Sequence, residues 1–327
     1  MTTHPRDCYD LQGTEAAEQA WLAAVERGRL HHAWLLAGAP GVGKATFAYR
    51  AARRLLGAAP APAHGLLGAD PQDPVCRLVA SQAHPDLLVL EMGDDAKRKT
   101  ISVEDARRLP EFFAKAPGIA QWRVAIIDTA DELNPNAANA VLKTLEEPPD
   151  RGVVLLVTHA PGRLLATLRS RCRRLDFAPW PLESVRDFVR ERAGVGEDDA
   201  RRLAELSGGA PGRALGLAAQ GALELDAAAR ALVAGLPALD EAVVLKLTEQ
   251  FRRGEGAARF ALFFELLTGH VRDAAVAQAG ADPRRSQRMA EAWERLSTLP
   301  SQVEGLNLDR ADALWTTAAD LRRAWAA

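Results

Sequence analysis

The stretch His32-Ala-Trp-Leu-Leu-Ala-Gly-Ala-Pro-Gly-Val-Gly-Lys-Ala-Thr46 decides the fold. Its first half, HAWLLA (32–37), is a short apolar run of the kind that forms a buried strand. Its second half, GAPGVGKAT (38–46), breaks that strand with glycines and a proline, and a helical pattern then runs from Lys44 to Leu56. Strand, glycine-rich turn and helix in this order form the context of a phosphate-binding P-loop. Glycines let successive backbone N–H groups wrap a phosphate. The helix N-terminus adds partial positive charge, and Lys44 reaches the outer phosphates. The residues assigned to this cradle are Gly38, Gly41, Gly43 and Lys44. One part is missing. The residue after the lysine ordinarily carries the hydroxyl that holds Mg²⁺, and here it is Ala45. Thr46 is one position late and turned about 100° around the helix, a poor substitute.

Outward from the loop, helical and strand-like segments alternate. Thr14 to Arg27 reads as a helix with Thr14 as N-cap. Residues 57–75, rich in Ala, Gly and Pro, read as a loop. Asp86-Leu-Leu-Val-Leu-Glu91 is a strand, and His84-Pro85-Asp86 is a turn entering it. Ser102-Val-Glu-Asp105 has the form of a capping box opening a helix to about Lys115. Arg123-Val-Ala-Ile-Ile-Asp128 is a strand with a carboxylate at its end. Asn136 to Leu145 is a helix stopped by Pro148-Pro149, and Val153 to Thr158 is another buried strand. This alternation predicts a parallel sheet with helices on both faces. After about Phe177 only helical patterns remain, at 182–193, 199–206, 213–219, 241–251, 257–278 and 310–326. The predicted fold is therefore an α/β P-loop domain over 1–177, a small helical lid domain over 178–222 and an all-α C-terminal domain over 223–327.

Composition narrows the function. At 327 residues the chain is long enough for two or three domains of roughly 100–200 residues each. Lys+Arg number 41 and Asp+Glu 43, so the net charge is −2. That weighs against a protein that coats DNA, while leaving room for a local basic patch. Cys8, Cys76 and Cys172 are far apart and lack paired spacing, so neither a disulfide framework nor a zinc ribbon is predicted, and the natural setting is a reducing cytoplasm. No run of about 18 apolar residues occurs, so no membrane partner is predicted.

Two further features bear on chemistry. In VAIIDTAD (124–131), Asp128 stands where a P-loop hydrolase keeps the acid that organises metal-bound water. The residue after it, which would polarise the attacking water as a carboxylate, is Thr129. Asp131 and Glu132 lie further along and aim elsewhere. The second feature is an arginine cluster, Arg163, Arg169, Arg171, Arg173 and Arg174, with Ser170-Arg171-Cys172 at its centre. Two readings stand for it: a solvated basic face, or an edge from which a guanidinium reaches phosphoryl oxygens. Thr158 is either a polar sensor of a γ-phosphate or a strand-ending threonine. Arg213, in GGAPGR (208–213), either reaches a nucleotide or is a surface arginine beside a turn. His31 and His32 are adjacent and point to different sides of a strand, so no metal site is assigned to them.

Taken together, the P-loop, IIDTAD, NAANAVLKTLEEPP (136–149) and LRSRC (168–172) resemble the clamp-loader subunits of bacterial DNA polymerase III, a AAA+ family. HPD (84–86) and GGAPGRAL (208–215) are similar as well. The resemblance covers the whole chain, the C-terminal third only as a helical domain. Motor subunits of that family, gamma/tau, keep both a Ser after the P-loop lysine and a Glu after the strand-ending Asp. This chain keeps neither and so looks like the delta-prime branch. The resemblance implies a AAA+ (RecA-like) module, a helical lid and a C-terminal collar domain in a hetero-pentameric ring with gamma/tau and delta. It implies that Arg171, flanked by Ser170 and Cys172, is an arginine finger acting on a neighbour's ATP. It implies a degenerate nucleotide site of Gly38, Gly41, Gly43, Lys44, Thr46, Asp128, Thr158 and Arg213, for which no cofactor is required and ATP with Mg²⁺ is doubtful. The beta sliding clamp and, through the complex, primer–template DNA are the implied targets. Many members carry a four-cysteine zinc module ahead of the HPD segment. Here only Cys76 occupies that region, so no zinc is predicted. The competing readings are a P-loop ATPase with weak turnover of its own, motivated by the retained Lys44 and Asp128, and a DNA-binding protein outside replication, which the net charge disfavours.

Overall fold

The computed structural model describes residues 4–92, 100–238, 240–252 and 256–326. The chain forms two compact units, Met1–Leu215 and Gly216–Ala327.

The first unit is built on a five-stranded parallel sheet. In chain order its elements are α1 (Glu15–Glu26), β1 (Ala33–Ala37), α2 (Lys44–Leu55), α3 (Pro74–Ala80), β2 (Leu87–Glu91), α4 (Val103–Phe113), β3 (Arg123–Asp128), α5 (Pro135–Glu146), β4 (Gly152–Thr158), α6 (Ala166–Arg169), β5 (Arg173–Asp176), α7 (Leu182–Ala193), α8 (Glu197–Ser207) and α9 (Pro211–Ala219), the last running across the boundary between the units. The strands lie in the order β2-β3-β4-β1-β5, all parallel. Every residue of β1 and β4 is buried, as strands covered on both faces should be. Alternate residues serve opposite faces. Trp34, Leu36, Val124, Ile126, Leu155 and Val157 pack with Trp21 of α1 and Phe47 and Ala51 of α2. Leu35, Ala125, Ile127, Val154 and Leu156 pack with Leu109 of α4, Val141 and Leu145 of α5 and Leu168 of α6. This is the expected AAA+-type α/β P-loop architecture.

Local signals fared unevenly. The capping box is present: Ser102 Oγ accepts from Asp105 N at 3.2 Å, and the Asp105 carboxylate accepts from Ser102 N at 3.2 Å. Thr14 precedes α1 but makes no side-chain cap bond, its buried hydroxyl having no hydrogen-bond partner. β5 was not foreseen. It takes two arginines of the cluster into the sheet edge, where Arg173 lies over the Trp34 ring at 4.9 Å.

The segment read as a loop from 57 to 75 is ordered by its own packing and by a buried ion pair. Ala58, Ala69 and Cys76 pack together under Tyr9. Glu18 and Arg50, both buried, meet at 3.0 Å; Glu18 also accepts from Leu67 N at 3.1 Å, and Arg50 donates to His64 O at 2.8 Å. Arg50 and Arg53 hold the chain start as well, through the carbonyls of Tyr9, Cys8 and Arg6. Asp86 is fully buried. It accepts from Gly118 N at 2.6 Å and from Ile119 N and Ala120 N at 2.9 Å each, and pairs with Arg123 at 3.3 Å.

The second unit, after the end of α9, contains α10 (Ala222–Ala234), α11 (Glu241–Arg252), α12 (Gly256–Gln278), α13 (Pro283–Gly305) and α14 (Arg310–Ala326). The long α12 packs against α10, α11 and α13. Its core is aromatic, Phe251, Phe260, Phe263 and Phe264 standing edge-on or tilted to one another at 4.5–5.6 Å between ring centres. No helix among the described residues is long and apolar enough to cross a membrane.

Candidate functional site

In an open parallel sheet, ligands bind beyond the carboxyl ends of the strands. β1 and β4 are in register there, with Ala37 beside Thr158, and β3 ends nearby at Asp128. The P-loop leaves β1 at this edge. Gly43 caps α2 in a left-handed conformation, φ +103°, and Gly41 has φ +79°, so side chains are disfavoured at both. Space excludes them too. A Cβ on Gly43 would lie 2.6 Å from the Leu11 side chain, and one on Gly41 would lie 2.5 Å from Arg213 N. Gly212 N donates to Gly41 O at 2.8 Å, tying the start of α9 to the loop. Gly38 has the Phe177 carbonyl equally close, at 2.5 Å from where a Cβ would stand.

Lys44 is 3% exposed. Its ammonium donates to the loop's own carbonyls, Gly38 O at 2.7 Å and Ala39 O at 2.6 Å. Burial lowers its pKa to about 8 against the opposing pull of Asp128 and Asp131. Ala45 presents only a methyl, and Thr46 follows half-buried on α2. The glycines and the lysine of a phosphate-binding loop are thus in place. At position 45 the chain offers no hydroxyl oxygen for a metal, and Asp128 at the end of β3 accepts from Thr129 Oγ1 at 3.3 Å. Mg²⁺ does not fit these residues in the way a P-loop hydrolase holds it.

Burial raises the Asp128 pKa, with the Thr129 hydroxyl and Lys44 pulling the other way. Thr129 Oγ1 also lies 3.4 Å from His159 Nε2. Burial lowers the pKa of that imidazole, with Lys44 adding to the effect and Asp131 opposing it, so His159 is biased toward its neutral form. Asp131 is held by the residues that end and follow β4. Its carboxylate accepts from Thr158 Oγ1 at 2.8 Å, His159 N at 2.6 Å and Ala160 N at 3.2 Å. The Thr158 hydroxyl, fully buried, is thus engaged inside the chain.

The structure brings Gly38, Gly41, Gly43, Lys44, Thr46, Asp128, Thr158 and the backbone of Arg213 to one edge. It sets Ser170, Arg171 and Cys172 apart. They immediately precede β5, whose first residue, Arg173, pairs with Trp34 near the start of β1. Arg171 therefore lies beyond the amino-terminal edge of the sheet, opposite its own P-loop. Its guanidinium is about one-third exposed, meets Glu146 Oε1 at 3.0 Å and donates to Thr167 O at 3.0 Å. Ser170 Oγ donates to Thr167 O at 3.1 Å. Cys172 packs against the α5–α6 core, where burial pushes its thiol up to about 12 and disfavours the thiolate. Leu11 and His159 were missed by sequence reading, because no local pattern marks a leucine that will lie on a glycine or a histidine that will follow a strand end.

Residues 13–181 match the family described as "DNA polymerase III, delta subunit". The DNA polymerase III subunit delta' of Pseudomonas aeruginosa is 36% identical over 205 residues, covering 62% of this chain and 61% of that protein. Its counterpart in Escherichia coli is 35% identical over 196 residues, covering 60% and 57%. The chain belongs to the DNA polymerase III delta-prime family. The match spans about 60% of the length of these curated relatives. Among solved structures, a gamma subunit-related protein of Thermotoga maritima shares the fold over 96% of this chain and all of its own, with a TM-score of 0.50 at 20% identity. The family-model match ends at residue 181, so it covers the P-loop and the Ser170–Cys172 segment and stops ahead of α7.

Proposed function

We propose that this chain is a non-hydrolysing subunit of the clamp loader that gives Arg171 to the ATP site of a neighbouring motor subunit. The observation that carries the reading is the separation of the two half-sites. The P-loop edge lacks a metal hydroxyl at Ala45 and a catalytic acid at Thr129, while Arg171 stands partly exposed on the opposite edge, out of reach of Lys44. A guanidinium placed there serves a phosphoryl group only if another subunit brings one. In this reading the neighbour is a gamma/tau motor subunit, delta completes a hetero-pentameric ring, and the ring loads the beta clamp on primer–template DNA in the cytoplasm. The lid is residues 178–222 and the collar 223–327. The chain needs no ATP, Mg²⁺ or zinc of its own for this role.

The chemistry asked of Arg171 is charge stabilisation. Its N–H groups bridge phosphoryl oxygens as the bond to the leaving group lengthens, an effect of about 10³–10⁵ in rate where an arginine finger is strongest. The test is steady-state, DNA-stimulated ATPase of the reconstituted complex carrying Arg171→Ala in this subunit. A large fall in kcat is expected, with assembly intact by gel filtration. An unchanged rate in an intact complex overturns the reading. The chain alone, with ATP, Mg²⁺ and DNA, is expected to show no turnover.

A further inference from the structure

The last turn of α5 ends in two adjacent acids, Glu146 and Glu147. Acids at a helix C-terminus oppose the helix dipole, so local structure gives no reason for them. Glu146 has a partner from another element. Its Oε1 meets a terminal nitrogen of Arg171 at 3.0 Å, while the other terminal nitrogen of Arg171 donates to Thr167 O on α6 at 3.0 Å. The guanidinium is held from two sides, and the backbone on either side of it is held as well, by the Ser170 hydroxyl on Thr167 O and by Cys172 in the core.

We infer that Glu146 is a positioning residue for Arg171, fixing the plane of its guanidinium before a neighbouring nucleotide arrives. The inference rests on the proposed finger role. A guanidinium recognises phosphoryl oxygens through a planar fork, so its orientation matters as much as its charge. A free arginine on the surface samples many rotamers and must be ordered on engagement. In this chain that ordering is already present, and two of the five N–H groups are used to achieve it, leaving the others to donate. Both partners are substantially exposed, 36% for Arg171 and 51% for Glu146. An exposed pair of this kind is weak, so Glu146 orients the guanidinium without trapping it, and a more highly charged phosphate displaces the carboxylate readily.

The experiment is steady-state kinetics of the reconstituted complex with Glu146→Gln, Glu146→Ala, Glu147→Ala, Arg171→Ala and the Glu146→Ala/Arg171→Ala pair. Glu146→Ala is expected to lower kcat by between about 3- and 100-fold, the range small misplacements produce, with KM for ATP unchanged. Glu146→Gln, which keeps a hydrogen bond and loses the charge, falls between it and wild type. Glu147→Ala, which removes an equivalent acid from the same helix end, leaves kcat alone. Added to Arg171→Ala, Glu146→Ala does nothing more. If Glu146→Ala is silent while Arg171→Ala is not, the positioning role is wrong and the finger stands. If Glu146→Ala costs as much in the Arg171→Ala background as alone, its effect is structural and the inference falls. A silent Arg171→Ala removes the finger reading and this one with it.

Discussion

Replacing Asp86 by Asn changes one atom and tests whether a single buried carboxylate organises the start of β3. Its Oδ1 accepts from Gly118 N and Arg123 Nε, and its Oδ2 from Ile119 N and Ala120 N. Whichever oxygen becomes NH₂, two donors are left facing a donor. Unsatisfied buried groups cost about 1–3 kcal/mol each, so the loss is about 2–6 kcal/mol, at the upper end if Arg123 is left unpaired. Burial pushes Asp86 up, but the three N–H groups and the Arg123 guanidinium outweigh it and hold the carboxyl below its ordinary value. A depressed carboxylate contributes stability above its unfolded pKa of about 3.9 and loses it as pH falls through the folded value. Wild type is thus expected to approach Asp86→Asn in stability only in acid. The assay is hydrogen exchange by mass spectrometry across a urea series, read on peptides spanning 116–128, because the chain has two units and one global transition is not assured. Asp176→Asn, in an exposed pair with Arg174 at 2.6 Å, is the control and should shift little. An Asp86→Asn loss below about 1 kcal/mol at neutral pH, with unchanged exchange at 118–120, refutes the accounting.

Two other outcomes follow from the P-loop edge. Because burial lowers Lys44 to about 8, a phosphate that seats on it favours the charged amine; binding of tripolyphosphate is expected to take up protons at and above pH 8 and to weaken as pH rises through that value, measured by calorimetry in buffers of different ionisation enthalpy, and binding without proton uptake means the ligand does not touch Lys44. Asp131→Asn removes the charged acceptor of Thr158, His159 and Ala160; it should cost about 1–3 kcal/mol and speed exchange at the amides of 159 and 160, and unchanged exchange there counts against the anchor role.

Much of the fold was legible because its signals are local. An apolar run ending at GAPGVGKAT can be a strand, a loop and a helix start without reference to the rest of the chain, and so can IIDTAD. β5 was hidden because Arg-Arg-Leu-Asp has no strand-like composition; only the neighbouring β1, and the Trp34 ring under Arg173, make it one. HPD reads as a turn, yet the partners of Asp86 come from residues 118–123, and those of Asp131 from 158–160. Sequence marks a carboxylate as interesting but cannot name a partner some thirty residues away. For the same reason the two halves of the site could be listed from sequence and their placement on opposite edges could not. That placement depends on β5 pairing with β1, the element sequence reading missed.

The glycines and the lysine of the P-loop also carry structural contacts. Gly41 admits the backbone of Arg213 and accepts a hydrogen bond from Gly212, so the start of α9 rests on it. Gly43 admits Leu11, and with it the segment that Arg50 and Arg53 tie to α2. Lys44 fills the carbonyl-lined mouth of the loop and sits among Asp128 and Asp131. Each of these residues is constrained by the chain's own packing, whereas Ala45 presents only a methyl. A P-loop that joins the chain start, the sheet and α9 is held in place by its glycines and lysine through the chain's own packing, independently of any nucleotide.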